Sequence, residues 1–159
     1  MEINIKLKMK IIFMINKEEA DEKVREGWIR SWLMFEVLAV NEETTRKSLE
    51  SLINRLDKDN RIKLYKKTLG EIKKVEKPIP NIEVGYSLTC ETEIISKKFD
   101  NLVQIVITYG PSAIEILEPS KLYIDGGEAQ KILNTISEML HEFAAAGVGG
   151  IVFMKGEDE

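Results

Sequence analysis

Cysteine and histidine are almost missing from this sequence, which has one of each, Cys90 and His141. A disulfide within the chain is therefore excluded, and the usual zinc site of four Cys and His ligands cannot be built. Cys90 falls on the apolar side of a predicted strand, where a free thiol packs like a small hydrophobe. His141 falls off the apolar side of a predicted helix. We therefore predict no catalytic residue and no cofactor, and favour a protein that is not an enzyme.

Long hydrophobic runs are also missing. The uncharged stretch from Phe143 to Met154 is shorter than the roughly 18 residues of a membrane span and is interrupted by glycines. The apolar patch from Ile11 to Ile15 is too short for the core of a signal peptide. Acidic residues (27) outnumber basic ones (23), whereas nucleic-acid coat domains are strongly basic. We expect a cytoplasmic protein that binds no membrane and is poorly suited to nucleic acid.

What the chain does have is enough hydrophobic residues for one core: 43% of 159 residues. Few Cys and Gln beside many Lys, Glu and Ile also resemble thermophilic composition. The stretch from Ile3 to Ile11 alternates apolar residues with asparagine and lysines, which predicts a half-buried strand. A charged segment, Lys17 to Glu26, predicts a short helix that ends near Gly27.

Two further stretches predict the centre of a sheet. Ile29 to Val40 is apolar on both faces, so we expect a central strand that is covered on both sides. Ile82 to Ile94 alternates strictly and predicts a second central strand. Between them, Asn41 is a good N-cap for a helix. Arg61 to Lys77 fits either one bent strand or a strand followed by a loop.

The remaining pattern is helix, strand and helix. Ser96 is expected to cap a helix that stops at Gly110, and Ala113 to Leu117 predicts a strand. A long helix follows Asp125. The order strand, helix, strand, strand, helix, strand predicts an α+β fold, the ferredoxin-like βαββαβ sandwich, with an added N-terminal strand and a C-terminal helix. The predicted organisation is an N-terminal strand and short helix (1–27) and a ferredoxin-like domain with its helical extension (28–159).

The segment from Tyr109 to Leu140 reads YGPSAIEILEPSKLYIDGGEAQKILNTISEML. It resembles the C-terminal extension, called WCX, of bacterial WYL-type transcriptional regulators. Those modules are ferredoxin-like and end with a helix, a glycine stop, a strand reading roughly "EVLEP" and a final helix. The resemblance implies the same fold and a regulatory role. It assigns no binding or catalytic residue, and Ser120 follows the proline where the family has arginine.

Three glutamates carry one alternative function. Glu91 and Glu93 lie on the polar face of one predicted central strand, and Glu36 should lie on the same face of its neighbour. Carboxylates that lie close together can bind a divalent cation, which would suit a metal-dependent enzyme. The ordinary interpretation is a solvated stripe or salt bridges to lysines of the adjoining strand, such as Lys63.

A lysine-rich stretch carries a second alternative, an RNA-binding module. Ferredoxin-like sheets that bind RNA usually stack bases on exposed aromatic side chains, and only Tyr65 is nearby. A solvated sheet edge explains the same residues. The lysines in question are Lys63, Lys66, Lys67, Lys73, Lys74 and Lys77.

The hypothesis we favour comes from the two-sided strand. If one sheet face is open, its apolar side chains form a patch that a monomer rarely leaves bare. We therefore expect a homo-oligomeric regulatory module that senses a small ligand at a subunit interface, so that the chain itself and a small molecule are its partners. The predicted interface residues are Trp32, Met34, Leu38, Ile5 and Leu7.

Overall fold

The computed structural model describes residues 15–147. They divide into two compact units, one ending at Leu122 and one beginning at Tyr123. The elements of the first unit are α1 (Lys17–Arg25), β1 (Ile29–Ala39), α2 (Glu42–Asp57), β2 (Ile62–Leu69), β3 (Lys73–Ile79), β4 (Ile82–Ser96), α3 (Phe99–Tyr109) and β5 (Ala113–Glu118), and the second unit holds α4 (Gly126–Ala145).

The described strands form one antiparallel sheet in the order β2-β4-β1-β5, with β3 paired to the other part of β4. This is the strand order of a ferredoxin-like sandwich, because each helical crossover skips one strand. The predicted α+β class and the central positions of β1 and β4 are thereby confirmed. No helix among residues 15–147 is both long and apolar enough to cross a membrane.

The stretch that the sequence left open becomes two strands. β2 pairs with the second half of β4 and β3 with the first half, and Gly70 lies at the break between them. The Gly70 amide donates to the Thr89 carbonyl at 2.9 Å. A Cβ on Gly70 would lie 2.5 Å from Thr89 Oγ1, so the close approach of the two strands requires glycine here.

The core lies between one sheet face and the helices α2 and α3. Leu33 and Phe35 of β1 and Leu88 and Ile94 of β4 are buried in this core. We call the side of the sheet that packs against α2 and α3 the helix face. The helices contribute Leu49, Ile53, Leu56, Leu102 and Ile105 to the same cluster.

Asp59 joins three elements at the edge of this core. Its carboxylate accepts hydrogen bonds from Arg61, at 2.6 and 2.9 Å, and from the Tyr109 hydroxyl at 2.8 Å. The Tyr109 hydroxyl also lies 3.2 Å from the Arg55 carbonyl. The end of α2, the start of β2 and the end of α3 are therefore tied together.

The opposite side of the sheet, which we call the open face, is covered by α1 at one end. There α1 packs Ala20 against Tyr65 of β2 and Ile95 of β4. Farther along β1, Leu38 is 45% exposed and Val40 64% exposed. Within residues 15–147, the prediction that this strand is covered on both sides holds near Arg30 and is wrong near Leu38. The predicted strand from Ile3 to Ile11 lies outside the described residues.

Helix termini follow the sequence signals with one exception. Asn41 accepts from the Thr44 amide at 2.8 Å and caps α2, while Gly110 ends α3 in the left-handed conformation. The prediction that Ser96 caps α3 is wrong. It is fully buried as the last residue of β4, and Lys98 occupies the N-cap position.

The second unit is described by itself. Asp125 caps α4, accepting from the Glu128 amide at 2.9 Å. Apolar residues recur with helical spacing along α4, but none of the residues of α4 is buried. Residues 121–124, which precede the helix, form no strand. The exposed apolar residues of α4 are Leu133, Ile136, Leu140 and Phe143.

Candidate functional site

The open face is the candidate site, because it brings the predicted metal residues and the predicted interface residues onto neighbouring strands. Met34 of β1 lies opposite Glu91 of β4, and Trp32 lies opposite Glu93. Lys66 continues the second of these rows on β2. Each row therefore places an acidic side chain of β4 beside an apolar side chain of β1, and the second row adds a basic side chain of β2.

Arg30 connects four elements at the end covered by α1. Its guanidinium contacts Asp21 of α1, lies 2.7 Å from Glu118 of β5 and donates to the Tyr65 hydroxyl at 3.2 Å. It also lies over the Tyr65 ring, 5.4 Å from its centre. The side chain is only 10% exposed, so these partners compensate for taking a charge out of water.

Tyr65 extends this hydrogen-bond network from Arg30 to Glu93. Its hydroxyl donates to one carboxylate oxygen of Glu93, and Lys66 Nζ lies 2.8 Å from the other. Burial and the hydrogen bond to Glu93 raise the pKa of Tyr65 well above its usual value. Burial opposes ionisation of Glu93, but hydrogen bonds from Lys66 and Tyr65 outweigh it and lower the pKa of that carboxyl.

The other two glutamates also have protein partners. Glu91 accepts from Trp32 Nε1 at 3.0 Å, and Glu36 accepts from Ser87 Oγ at 2.5 Å. Among the described residues, no group of three or more Asp, Glu, His or Cys side chains lies close enough together to hold a metal ion. The structure thus places Glu36, Glu91 and Glu93 on one face without bringing them together as a ligand set. The lysine that pairs with Glu93 is Lys66, where the sequence suggested Lys63.

Three of the five predicted interface residues lie in the part of the chain that the structure describes. Trp32 and Met34 are half-buried on the open face, and Leu38 is exposed near its far end. Ile5 and Leu7 lie outside the described residues. A cleft of about 20 Å³ lies beside Trp32 and is lined also by Lys66, Thr68, Glu91, Thr92 and Glu93.

The lysine-rich strands do not form a single basic surface. Lys66 faces the open side, whereas Lys67 lies opposite Thr92 and faces the helix side. Tyr65, the aromatic residue that could have stacked on a base, is buried. These placements remove the feature that RNA-binding sheets of this fold usually offer, and the RNA alternative stays a prediction.

Cys90 and His141 are placed as the sequence indicated. Cys90 is buried in β4, and burial raises the pKa of its thiol to about 11. His141 is exposed on α4. Cys90 belongs to the core on the helix face, not to the open-face network.

Arg30 and Tyr65 are the network residues that sequence reasoning missed. The signal for Arg30 is a lone cation near the start of an otherwise apolar strand. Tyr65 follows Leu64 at a β-bulge, where the pairing of β2 with β4 shifts between Leu64 and Lys66. The bulge turns Tyr65 to the open face, and strict alternation does not foresee it.

A family model matches residues 30–154, which includes the sheet, α2, α3 and α4. It is the MJ0538 family. The chain belongs to this family. The match begins at Arg30, so it includes the open-face residues of β1, β2 and β4. Neither the curated proteins nor the solved structures contain a significant match to the chain.

Proposed function

We propose that this member of the MJ0538 family is a homo-oligomeric, ferredoxin-like module with a regulatory role, which senses a small ligand where two subunits meet. The observation that carries the proposal is the far end of the open face, where α1 no longer covers the sheet. Leu38 and Val40 are exposed there, and on the same face of β1 Met34 and Trp32 are half-buried on the other side of Glu36. Apolar side chains exposed together on one surface are typical of a protein–protein interface.

We place the ligand between two subunits because the cleft in a single chain is too small to enclose it. The cleft beside Trp32 measures about 20 Å³, whereas small-molecule sites commonly occupy roughly 300–1,000 Å³. A second subunit placed over this face would add the missing wall. The regulatory role is supported by the resemblance of Tyr109 to Leu140 to the WCX extension.

The test of assembly is the mass in solution by light scattering at micromolar concentration. We expect the wild-type protein to exceed its chain mass of 18.2 kDa and Leu38→Glu to fall toward it, because a charge would be buried in the interface. Ile107→Glu is the matched control. Ile107 is also exposed but lies on α3, on the helix side of the sheet, so this variant should keep the wild-type mass. A monomeric wild-type protein overturns the proposal.

The test of sensing is a thermal-shift screen with metabolites and divalent cations. A ligand that binds the folded state raises the melting temperature. We expect a metabolite to produce a shift that is lost in Leu38→Glu and kept in Ile107→Glu. A shift produced by a divalent cation and lost in Glu91→Gln would favour the metal-dependent enzyme instead.

A further inference from the structure

Helix α4 carries a stripe of large apolar side chains that remain exposed. Leu133 is 62% exposed, Ile136 37%, Leu140 44% and Phe143 46%. None of the residues of α4 is buried. Apolar side chains exposed together on one side of a helix indicate that this side associates with another protein surface.

The spacing of these residues indicates what kind of surface that is. Along the stripe, Leu133, Ile136, Leu140 and Phe143 are three, four and three positions apart. This is the spacing with which one helix packs lengthwise against another. The steps are the same when the helix is read backwards, so an antiparallel copy of α4 presents a matching stripe. Such self-matching is what a two-fold symmetric contact requires.

No other helix of the described chain offers a matching stripe. α1 buries Ala20, α2 buries Leu49 and α3 buries Leu102 in the clusters that pack on the sheet. Among residues 15–147, only α4 exposes four large apolar residues at this spacing. One chain contains one α4, so we take the matching helix to come from a second copy.

The C-terminal half of α4 is electrostatically unfavourable in a lone helix. It contains Glu138 and Glu142, and the last turn of the helix has no basic residue. The carbonyl end of a helix carries a partial negative charge, so carboxylates near it are disfavoured. A positive group from outside the helix would stabilise this end.

An antiparallel copy of α4 supplies positive charge at that place. Its N-terminal half contains Glu128 and Lys131, whose charges balance, and its first turn carries the partial positive charge of a helix N-terminus. An antiparallel pair sets this half beside the acidic half of the partner. Parallel copies would instead set the two acidic halves side by side. Charge therefore favours the antiparallel arrangement.

We propose that α4 pairs with α4 of a second copy as an antiparallel two-helix contact. Leu133 of each helix lies opposite Phe143 of the other, and Ile136 lies opposite Leu140. This contact uses a different element from the proposed open-face interface, so it goes beyond the proposed function and can be tested separately. Two different two-fold contacts together join more than two chains.

Light scattering at micromolar concentration separates the two contacts. Leu140→Glu places a charge in the middle of the stripe, and we expect it to lower the mass to about half of the wild-type value. Leu140 is not part of the core, so the variant should fold, which circular dichroism checks. The matched control is Ala145→Glu, which adds the same charge at an exposed position off the stripe and should keep the wild-type mass. Leu38→Glu/Leu140→Glu removes both contacts and should be a monomer.

The outcomes distinguish this inference from the proposed function. If Leu140→Glu keeps the wild-type mass and Leu38→Glu lowers it, the α4 contact is wrong and the proposed function stands. If only Leu140→Glu lowers the mass, the α4 contact stands and the open-face interface is wrong. An equal loss of mass in Ala145→Glu would show that charge on the helix accounts for the change, and the inference would be overturned. A monomeric wild-type protein removes both contacts.

Disulfide trapping in the full chain tests the direction of the helices. Ile136→Cys and Leu140→Cys are prepared as separate variants, one of them isotope-labelled, and are refolded together before oxidation. Cys90 is buried and does not compete. The antiparallel pair places residue 136 of one chain opposite residue 140 of the other, so we expect disulfides mainly between the two variants.

The control for trapping is Glu138→Cys, refolded and oxidised alone. Residue 138 is two positions from both 136 and 140 and so lies on the opposite side of the helix, where few disulfides should form. Disulfides that join each stripe variant mainly to itself would mean parallel helices and would overturn the proposed arrangement. Trapping of the mixed variants no more efficient than that of Glu138→Cys would overturn the contact itself.

Discussion

At the scale of single residues, the Tyr65 hydroxyl connects two charged groups, the Arg30 guanidinium and the Glu93 carboxylate. Arg30 donates to this oxygen, and the hydroxyl in turn donates to Glu93. Buried polar groups of this kind stabilise a fold only when each of them has a partner, since an unpaired one carries its full desolvation penalty.

Tyr65→Phe removes the hydroxyl and keeps the ring. We expect it to lower the free energy of unfolding by about 1–3 kcal/mol, because Arg30 and Glu93 both lose a partner in a partly dry environment. Urea unfolding measures the change. Tyr123→Phe is the matched control, since Tyr123 is 93% exposed and its loss of a hydroxyl should leave stability unchanged. Equal stability of the two variants would contradict this account.

At the scale of elements, α2, β2 and α3 meet at Asp59. Hydrogen bonds from Arg61 outweigh the effect of burial and hold the pKa of the Asp59 carboxyl well below its usual range, and Tyr109 adds a further hydrogen bond. The folded-state pKa is therefore lower than the unfolded-state value, which is about 3.9. The stabilisation is present above that pH and is lost as the pH falls toward the folded-state pKa.

Asp59→Asn should accordingly destabilise the protein by about 1–3 kcal/mol at neutral pH, and the difference from wild type should shrink between about pH 4 and pH 2. Urea unfolding at a series of pH values measures this. Asp57→Asn, at the end of α2, changes the same group without touching Arg61 and should show a smaller difference at neutral pH. A difference for Asp59→Asn that stays constant with pH would show that the carboxylate charge is not what stabilises the junction.

Local signals predicted most elements, and tertiary contacts decided the rest. The alternation of β4 and the apolar β1 were readable because a strand in a sheet has a strict period of two. Asn41 and Gly110 were readable because caps depend on near neighbours in sequence. The break at Gly70 depends on how closely Thr89 approaches, and the burial of Ser96 depends on where the sheet ends, so neither could be predicted locally.

The candidate site was predicted only in outline. The sequence placed Glu36, Glu91 and Glu93 on one face, and the structure agrees. It did not foresee that each carboxylate would have its own hydrogen-bond donor, because those donors come from distant positions such as Trp32 and Tyr65.

At the scale of the whole molecule, assembly should be visible in stability as well as in mass. If folding and association are linked, the melting temperature rises with protein concentration, because a partner that binds only the folded state stabilises it by mass action. We expect this rise for wild type and a weaker one for Leu38→Glu. Differential scanning calorimetry over a range of concentrations measures it. A melting temperature independent of concentration for wild type would speak against a folding-linked oligomer.

The length of β4 has a consequence for how the protein is made. β4 is the neighbour of β1, β2 and β3, while β1 and β2 do not touch one another in the sheet. When only residues up to 80 have emerged from the ribosome, the chain contains β1, β2 and β3. No two of these strands pair with each other in the folded sheet. The ribosome must release Ile82–Ser96 before those strands can pair, so the apolar β1 spends that interval without its permanent neighbours and within reach of chaperones.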